Sequence, residues 1–263
     1  MERCARVCRR TEPRCEVRFP RGVRAPGSLD EPHLRRVLEE NLYATWLPGQ
    51  AVYNEFVTSS DPVRQLASAD FPTRWGTFRI YGFATTPESG DQSAREEAVA
   101  LVMGEVTDKP PLVRVHSQCL TGDVFGSLRC DCRQQLEMAL SMIAEEGTGV
   151  LIYEQKEGRG IGLMAKLQAY ELQDAGLDTV EANERLGFKA DHRDFTLPGE
   201  MLNALGIRQV RLLSNNPDKV AALEQAGIEV VERIPCEVVP SPYAEDYLKT
   251  KKQKLGHLLD DSI

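Results

Sequence analysis

Short apolar segments alternate with segments of helical periodicity over the second half of the chain, and this alternation is the strongest constraint on the fold. Residues 149–153 (GVLIY), 210–214 and 228–232 have the composition of short buried strands. The segments between them carry helix signals, among them Asn216-Pro217 as a cap followed by a first-turn proline. Such strand–helix–strand units are typical of a partly parallel, twisted sheet with flanking helices, so we expect a mixed α/β fold.

Other helices are predicted from their start and stop signals. Residues 161–175 form a helical segment that ends at Gly176, and Asp178 with Glu181 has the spacing of a capping box. Residues 244–259 are predicted as a C-terminal helix, in which the lysine run 249–254 is interpreted as a solvated face.

The first quarter of the chain has a different character. Residues 1–65 contain an Arg-, Pro- and Gly-rich start without periodicity and a segment at 57–62 that resembles a linker, so we expect a partly disordered N-terminal extension. Strand candidates follow at 77–83, 98–102 and 112–115. The predicted organisation is therefore an extension over 1–65 and one catalytic domain over 66–263.

The charge distribution argues against nucleic acid as a partner. Residues 1–30 carry eight Arg and four acidic residues, which leaves 24 basic and 36 acidic residues, a net charge of −12, for residues 31–263. Non-specific nucleic-acid binding depends on Lys and Arg that neutralise phosphates, so this body would bind a polyanion only at a small basic site. No stretch approaches the roughly 18 apolar residues of a membrane span.

The seven cysteines predict a reducing compartment. Their number is odd, the chain is long and no apolar signal region precedes it, which is unlike a secreted disulfide scaffold. We therefore expect a cytoplasmic protein, with an organellar presequence as the alternative interpretation of the Arg-rich start.

Cys119, Cys130 and Cys132 form the most informative cluster. Three thiols within fourteen residues of a cytosolic protein favour a metal over a disulfide, and thiolates favour zinc. Three protein ligands leave one position for water, as in catalytic zinc sites, whereas His116 as a fourth ligand would make the site closed and structural. Buried free cysteines remain the alternative.

Two polar motifs follow the cysteines. Glu157-Gly158-Arg159-Gly160-Ile161-Gly162 lies between a strand and a helix, where backbone N–H groups and an Arg bind phosphate, although a tight turn would need the same glycines. The segment 191–195 (DHRDF) pairs a carboxylate with Arg193, which suits proton transfer and phosphoryl binding, or else a surface salt-bridge network.

Taken together and in order, five motifs closely resemble GTP cyclohydrolase II, the first committed enzyme of riboflavin synthesis. The resemblance extends from about Phe71 to Leu259. The motifs are RVHSQCLTGDVFGSLRCDC (114–132), EGRGIGL (157–163), DTVEAN (178–183), ADHRDF (190–195) and LLSNNPDKV (212–220).

The resemblance implies a monofunctional homodimer that hydrolyses GTP to 2,5-diamino-6-(5-phospho-ribosylamino)pyrimidin-4-one, formate and pyrophosphate. It implies one zinc ion on Cys119, Cys130 and Cys132, and Mg²⁺ with the triphosphate. The GTP-binding residues that it implies are Arg114, Val115, His116, Ser117, Gln118, Gln135, Glu157, Gly158, Arg159, Thr179, Ser214 and Lys219.

The resemblance also implies a catalytic set of Asp191 as base, Arg193 as nucleophile toward the α-phosphate, and Tyr170. Because a guanidinium is normally fully protonated, an electrostatic clamp is the alternative role for Arg193. The chain departs from the family pattern at Gln118, where Glu is frequent, and at Ser214, where Thr is frequent. Two other functions stay open: a variant that stops at the formamidopyrimidine, and a non-catalytic nucleotide-binding regulator.

Overall fold

A seven-stranded sheet organises the described part of the chain, which in this computed structural model comprises residues 63–86, 95–188, 193–239, 241–256 and 258. The strands are β1 (Val63–Thr73), β2 (Gly76–Thr85), β3 (Glu97–Met103), β4 (Leu112–Ser117), β5 (Gly149–Glu154), β6 (Gln209–Leu213) and β7 (Glu229–Ile234). They lie in the order β1-β2-β3-β5-β4-β6-β7. The pairs along β1-β2-β3-β5 are antiparallel, whereas β5-β4-β6-β7 are parallel, so the expected mixed α/β fold is confirmed.

Helices cover both faces of the sheet. The helices are α1 (Cys132–Glu146), α2 (Leu163–Asp174), α3 (Thr179–Arg185), α4 (Thr196–Ala204), α5 (Pro217–Gln225) and α6 (Glu245–Leu255). Because side chains alternate along a strand, Leu112 and Leu151 pack with α1, while Val113 and Ile152 face the cluster that includes α4 and α5. Within the described ranges, none of the helices combines the length and apolar character needed to cross a bilayer.

The helix caps agree with the sequence signals. The Asp178 carboxylate accepts hydrogen bonds from the backbone N–H groups of Val180 and Glu181, and the Glu181 side chain completes the capping box. The Asn216 side chain accepts from the N–H of Asp218 at the start of α5. Both predicted helix starts are therefore confirmed.

β1 is the element that the sequence did not reveal. Most of its residues are exposed on both faces, so the strand lacks the apolar alternation by which strands are recognised. β1 begins at Val63 and crosses the predicted boundary between residues 65 and 66. Residues 1–62 of the predicted extension lie outside the described residues, and the assignment of an extension stays a prediction.

A crevice opens between β4 and β6. β4 pairs with β5 along its whole length, from Leu112 to Ser117, but it pairs with β6 only at Leu112 and Val113. The chain leaves β4 toward β5 on one side and leaves β6 toward β7 on the other. This reversal is a topological switch point, where α/β sheets bind ligands beyond the carboxyl ends of their strands.

Candidate active site

Three cysteines meet where β4 ends and α1 begins. Cys119 follows β4, Cys132 opens α1 and Cys130 lies in the loop between them. Their ligand sulfurs all lie within 4.8 Å of one another, and the Sγ atoms of Cys119 and Cys130 are 3.7 Å apart. A π-helical turn over Leu120–Val124 folds the chain back, and a Cβ at its Gly122 would lie 2.9 Å from Cys130 Sγ. Glycine is therefore needed at this position to leave room for the sulfurs.

The charges around the cluster favour a bound cation. Hydrogen bonds from the thiols of Cys130 and Cys132 lower the pKa of Cys119, and the Lys166 ammonium, 3.0 Å from its sulfur, adds to this. Donation to Cys119 raises the pKa of Cys130 to about 11, and the pKa of Cys132 is raised as well. Three crowded sulfurs ionise together only around a cation, and a set of three thiolates fits zinc.

Asp123 holds in place the π-helical turn over Leu120–Val124, which we call the cysteine turn because it follows Cys119. Its carboxylate accepts from the backbone N–H of Cys119 at 3.0 Å, from His116 Nε2 at 3.1 Å and from the Tyr153 hydroxyl at 2.9 Å. Burial lowers the pKa of His116, so its imidazole is neutral and donates from Nε2. In the described part of the chain, no imidazole or carboxylate joins the three sulfurs, which leaves His116 as a support and not as a fourth ligand.

The glycine loop after β5 has a left-handed backbone. Gly158 and Arg159 both have a φ of 61°, and Arg159 is the one non-glycine residue with positive φ among those that the structure describes. The Glu157 carboxylate holds this loop, since it accepts from the N–H groups of Leu120 at 2.6 Å and Gly158 at 2.9 Å, and from Lys166 at 2.7 Å. Backbone strain of this kind persists where neighbouring contacts impose it, and it is frequent at ligand sites.

Tyr170, on α2, lies beside the cysteine turn. Its hydroxyl is 3.2 Å from Thr121 Oγ1, which is itself 3.7 Å from Cys119 Sγ. The Arg129 guanidinium lies 4.8 Å from the centre of the Tyr170 ring. Burial raises the pKa of Tyr170, so the phenol keeps its proton at neutral pH and is available as a proton donor.

A cavity of about 670 Å³ lies beside the cysteines, and we call it the cysteine cavity. Its wall combines the three thiols with the glycine loop and α2. The predicted site residues that line it are Ser117, Gln118, Cys119, Cys130, Cys132, Glu157, Gly158, Arg159, Tyr170, Thr179 and Arg193.

A second cavity of about 560 Å³ lies at the crevice between β4 and β6, and we call it the cation cavity. None of the described residues that line it is Asp or Glu. Five cationic side chains do line it: Arg114, Arg159, Arg193, Lys219 and Lys251. The other predicted site residues in its wall are His116, Ser117, Cys132, Gln135 and Ser214.

Neutral groups hold two buried cations of this cavity, Arg114 and Lys219, whereas the buried Lys251 pairs with the Asp131 carboxylate. Arg114 donates to the carbonyl of Leu213 at 2.9 Å and to Gln135 Oε1 at 2.6 Å, and Lys219 donates to the carbonyl of Val115 at 2.7 Å. Burial and the nearby Arg114 lower the pKa of Lys219. An anion in the cavity would supply the charge that these partners lack.

Arg193 lies between the two cavities and lines both. Its Nη1 donates to Ser117 Oγ at 3.4 Å, and Ser117 Oγ donates to Glu154 Oε2 at 3.3 Å. Burial raises the pKa of Glu154, although Lys219 and Lys156 oppose that shift. The position suits the electrostatic role that the sequence left open for Arg193.

Among the described residues, the predicted site residues converge on these two cavities, with one exception. Val115 is buried in the core and takes part only through its carbonyl. Asp191 lies outside the described residues, and its role stays a prediction. The sequence missed Lys166, Asn215, Tyr247 and Lys251 as wall residues.

The interpretation of the lysine run 249–254 as a solvated face is wrong for Lys251. Only 9% of this residue is exposed, and its ammonium pairs with Asp131 at 3.3 Å. The helical spacing that places Lys251 on the inner face of α6 was a signal available in the sequence.

The fold and the two cavities define a class: an α/β protein in which three cysteines with the geometry to hold a metal ion lie next to a cavity lined by five cationic side chains. The family model described as GTP cyclohydrolase II matches residues 64–235. A protein of Yersinia pestis, GTP cyclohydrolase-2, is 56% identical over 198 residues, which are 75% of this chain and 98% of that protein. The chain therefore belongs to the GTP cyclohydrolase II family.

Longer relatives share only this part. The riboflavin biosynthesis protein RibBA of Aquifex aeolicus is 54% identical over 198 residues, and this chain spans about half of its length, 47%. Among solved structures, one match is RibBX, a two domain 3,4-dihydroxy-2-butanone 4-phosphate synthase from A. baumannii. The match covers 67% of this chain and 41% of the RibBX chain, with 21% sequence identity and a TM-score of 0.39. That likeness is too distant to bear on the site.

Proposed function

We propose that the protein hydrolyses GTP to 2,5-diamino-6-(5-phospho-ribosylamino)pyrimidin-4-one, formate and pyrophosphate, the first step of riboflavin biosynthesis. One observation carries the proposal: the cysteine cavity and the cation cavity share wall residues, namely Ser117, Cys132, Arg159, Arg193 and Tyr247. One elongated ligand with a heterocycle at one end and several phosphates at the other fits that arrangement.

The reaction consumes three waters. Two cleave the two bonds from guanine C8 to nitrogen, so that C8 leaves as formate, and the third cleaves the bond between the α- and β-phosphates to release pyrophosphate. Cys119, Cys130 and Cys132 would hold a zinc ion, which when bound supplies Lewis-acid activation of water for the ring-side steps.

Side chains of the protein would donate the proton in the ring-side steps and bind the triphosphate. The neutral phenol of Tyr170 donates a proton on the cysteine side, where a nitrogen leaving group needs one. On the phosphate side, Arg114 and Lys219 bind the triphosphate, and Arg193 stabilises charge at the α-phosphate. We assign Asp191 the part of orienting or deprotonating groups at that phosphate, and Mg²⁺ the part of bridging the phosphates.

We further propose a homodimer in the cytoplasm. Reducing conditions would keep the cysteine thiols available to a metal, and the described cysteines are free thiols. Analytical ultracentrifugation at micromolar protein would test the dimer.

The deciding experiment incubates the full chain with GTP and Mg²⁺ and measures formate and pyrophosphate, with and without a zinc chelator. We expect equal amounts of both products from the untreated protein, loss of formate after zinc chelation, and about one zinc per chain by elemental analysis. Pyrophosphate without formate would identify the variant that stops at the formamidopyrimidine. Calorimetric binding of GTP without either product would identify a non-catalytic binding protein.

A further inference from the structure

The last described helix contributes two side chains to the cation cavity. α6 lies beyond residue 235, where the match to the family model ends. Tyr247 and Lys251 are four residues apart and so lie on one face of the helix, and both line the cation cavity. The wall of this site therefore includes a segment that the family model does not cover.

Lys251 belongs to a buried polar chain that ends at Arg114. Its ammonium is 3.3 Å from Asp131 Oδ1, and Asp131 Oδ2 accepts from Gln135 Nε2 at 2.5 Å. The side-chain amide oxygen of Gln135, Oε1, in turn accepts from Arg114 at 2.6 Å. This chain of contacts fixes the ammonium on the cavity wall.

Tyr247 links Lys251 to the glycine loop. Its ring centre lies 4.4 Å from the Lys251 ammonium and 5.5 Å from the Arg159 guanidinium, both within cation–π range. Tyr247 lines both cavities, whereas Lys251, Arg114 and Lys219 line only the cation cavity. The three cations thus lie on the cation-cavity side of the wall residues that the two cavities share, which include Cys132.

We infer that α6 is part of the substrate site: Lys251 binds the β- and γ-phosphates, and Tyr247 positions Lys251 and Arg159 against them. The assignment to these phosphates rests on the proposed function. In that function the guanine end would occupy the cysteine cavity, and the α-phosphate would lie beside the residues that both cavities share. The β- and γ-phosphates would then lie in the cation cavity. The affinity of the cavity for a free diphosphate does not depend on that function.

The test measures binding of inorganic pyrophosphate, and separately of GTP and guanosine, to the full chain by calorimetry. Lys251→Met removes the charge and keeps the apolar stem, and Lys249→Met is the matched control because Lys249 is an exposed lysine of the same helix. Loss of a charged hydrogen bond predicts about tenfold or more weaker binding of pyrophosphate and GTP by Lys251→Met. The affinity of Lys251→Met for guanosine should stay within about twofold of the wild-type value. The affinities of Lys249→Met for all three ligands should do so as well.

Two further variants separate binding from folding. Lys251→Met leaves the buried Asp131 carboxylate without its ammonium, so the double variant Lys251→Met/Asp131→Asn removes both charges together. Lys251→Arg retains the charge and should retain most of the pyrophosphate affinity.

Wild-type pyrophosphate affinity in a folded Lys251→Met or in the double variant would overturn the inference. If the wild-type chain binds pyrophosphate but releases no formate from GTP, the proposed function fails while the anion site stands. If the wild-type chain turns GTP over and Lys251→Met has an unchanged KM, the function stands and the role of α6 fails.

Discussion

Gly122→Ala is expected to weaken metal binding without unfolding the chain. A Cβ at this position would lie 2.9 Å from Cys130 Sγ, 3.1 Å from Cys119 Sγ and 3.3 Å from Cys132 Cβ. Gly122 does not have a positive φ, so the substitution acts only through the steric clash of the added methyl group and not through backbone strain. The added methyl must displace sulfurs that a tetrahedral metal site needs at fixed positions.

The expected size follows from the cost of overpacking. An extra methyl group in a close-packed site costs about 1–3 kcal/mol. Because the atoms that must move are the ligand sulfurs themselves, most of this cost falls on the metal-bound state. Zinc affinity should therefore fall by about 5- to 150-fold. Elemental analysis of dialysed protein gives the stoichiometry, and titration against a chromophoric chelator gives the affinity.

Two other glycines provide controls for Gly122→Ala. A Cβ at Gly82, on β2, would meet nothing within 4 Å, so Gly82→Ala should change neither zinc affinity nor stability appreciably. A Cβ at Gly199, on α4, would lie 2.3 Å from Ala226 Cβ, so Gly199→Ala should lower the melting temperature and leave zinc affinity unchanged. Wild-type zinc affinity in Gly122→Ala, or an equal loss in Gly199→Ala, would refute the reasoning.

Three further predictions test the site and its support. Cys130→Ser should abolish formate release while GTP binding, measured by calorimetry, partly survives, because the cation cavity is unchanged; full turnover would contradict the metal site. Tyr170→Phe should slow formate release more than pyrophosphate release in parallel assays, and equal slowing of both would indicate a structural role. Asp178→Ala should lower the free energy of unfolding by about 0.5–2 kcal/mol at pH 7, through loss of the α3 cap. Burial opposes ionisation of Asp178, but hydrogen bonds from Lys254 and the α3 backbone hold its pKa below the usual value. The cap therefore stabilises fully above about pH 4, and the difference in unfolding free energy between wild type and Asp178→Ala, measured in urea, should shrink below that pH. A difference that stays constant with pH would argue against the charged cap.

Features that depend on near neighbours in the chain were predictable. The spacing of Cys119, Cys130 and Cys132 predicted that they act together, and the short turn over Leu120–Val124 brings the Cys119 and Cys130 sulfurs to 3.7 Å from each other. The caps at Asp178 and Asn216 depend on N–H groups two or three residues away, so their geometry is contained in the local sequence.

Contacts between distant segments were not predictable in the same way. Lys166 reaches Cys119 Sγ from 47 residues along the chain, and nothing in the helical pattern of α2 marks that lysine. The family resemblance placed Glu157 among the GTP-binding residues, and the structure shows that its carboxylate accepts hydrogen bonds from Leu120, Gly158 and Lys166. Both arrangements depend on where the sheet brings the ends of β4 and β5 together.

The charge of the chain shows why a sum over residues is a poor guide to its partners. Residues 31–263 carry a net charge of −12, yet five cations line one cavity. Exposed charges more than about 10 Å apart are largely screened by salt, whereas buried groups are screened much less. The potential that a ligand meets in the crevice therefore depends on the buried charges beside it. These are the cations Arg114, Lys219 and Lys251 and the nearby carboxyl groups of Asp131 and Glu154. Because β4 pairs with β6 only at Leu112 and Val113, a crevice opens between the two strands, and these cations line the cavity there. An acidic chain can in this way present a local cationic site.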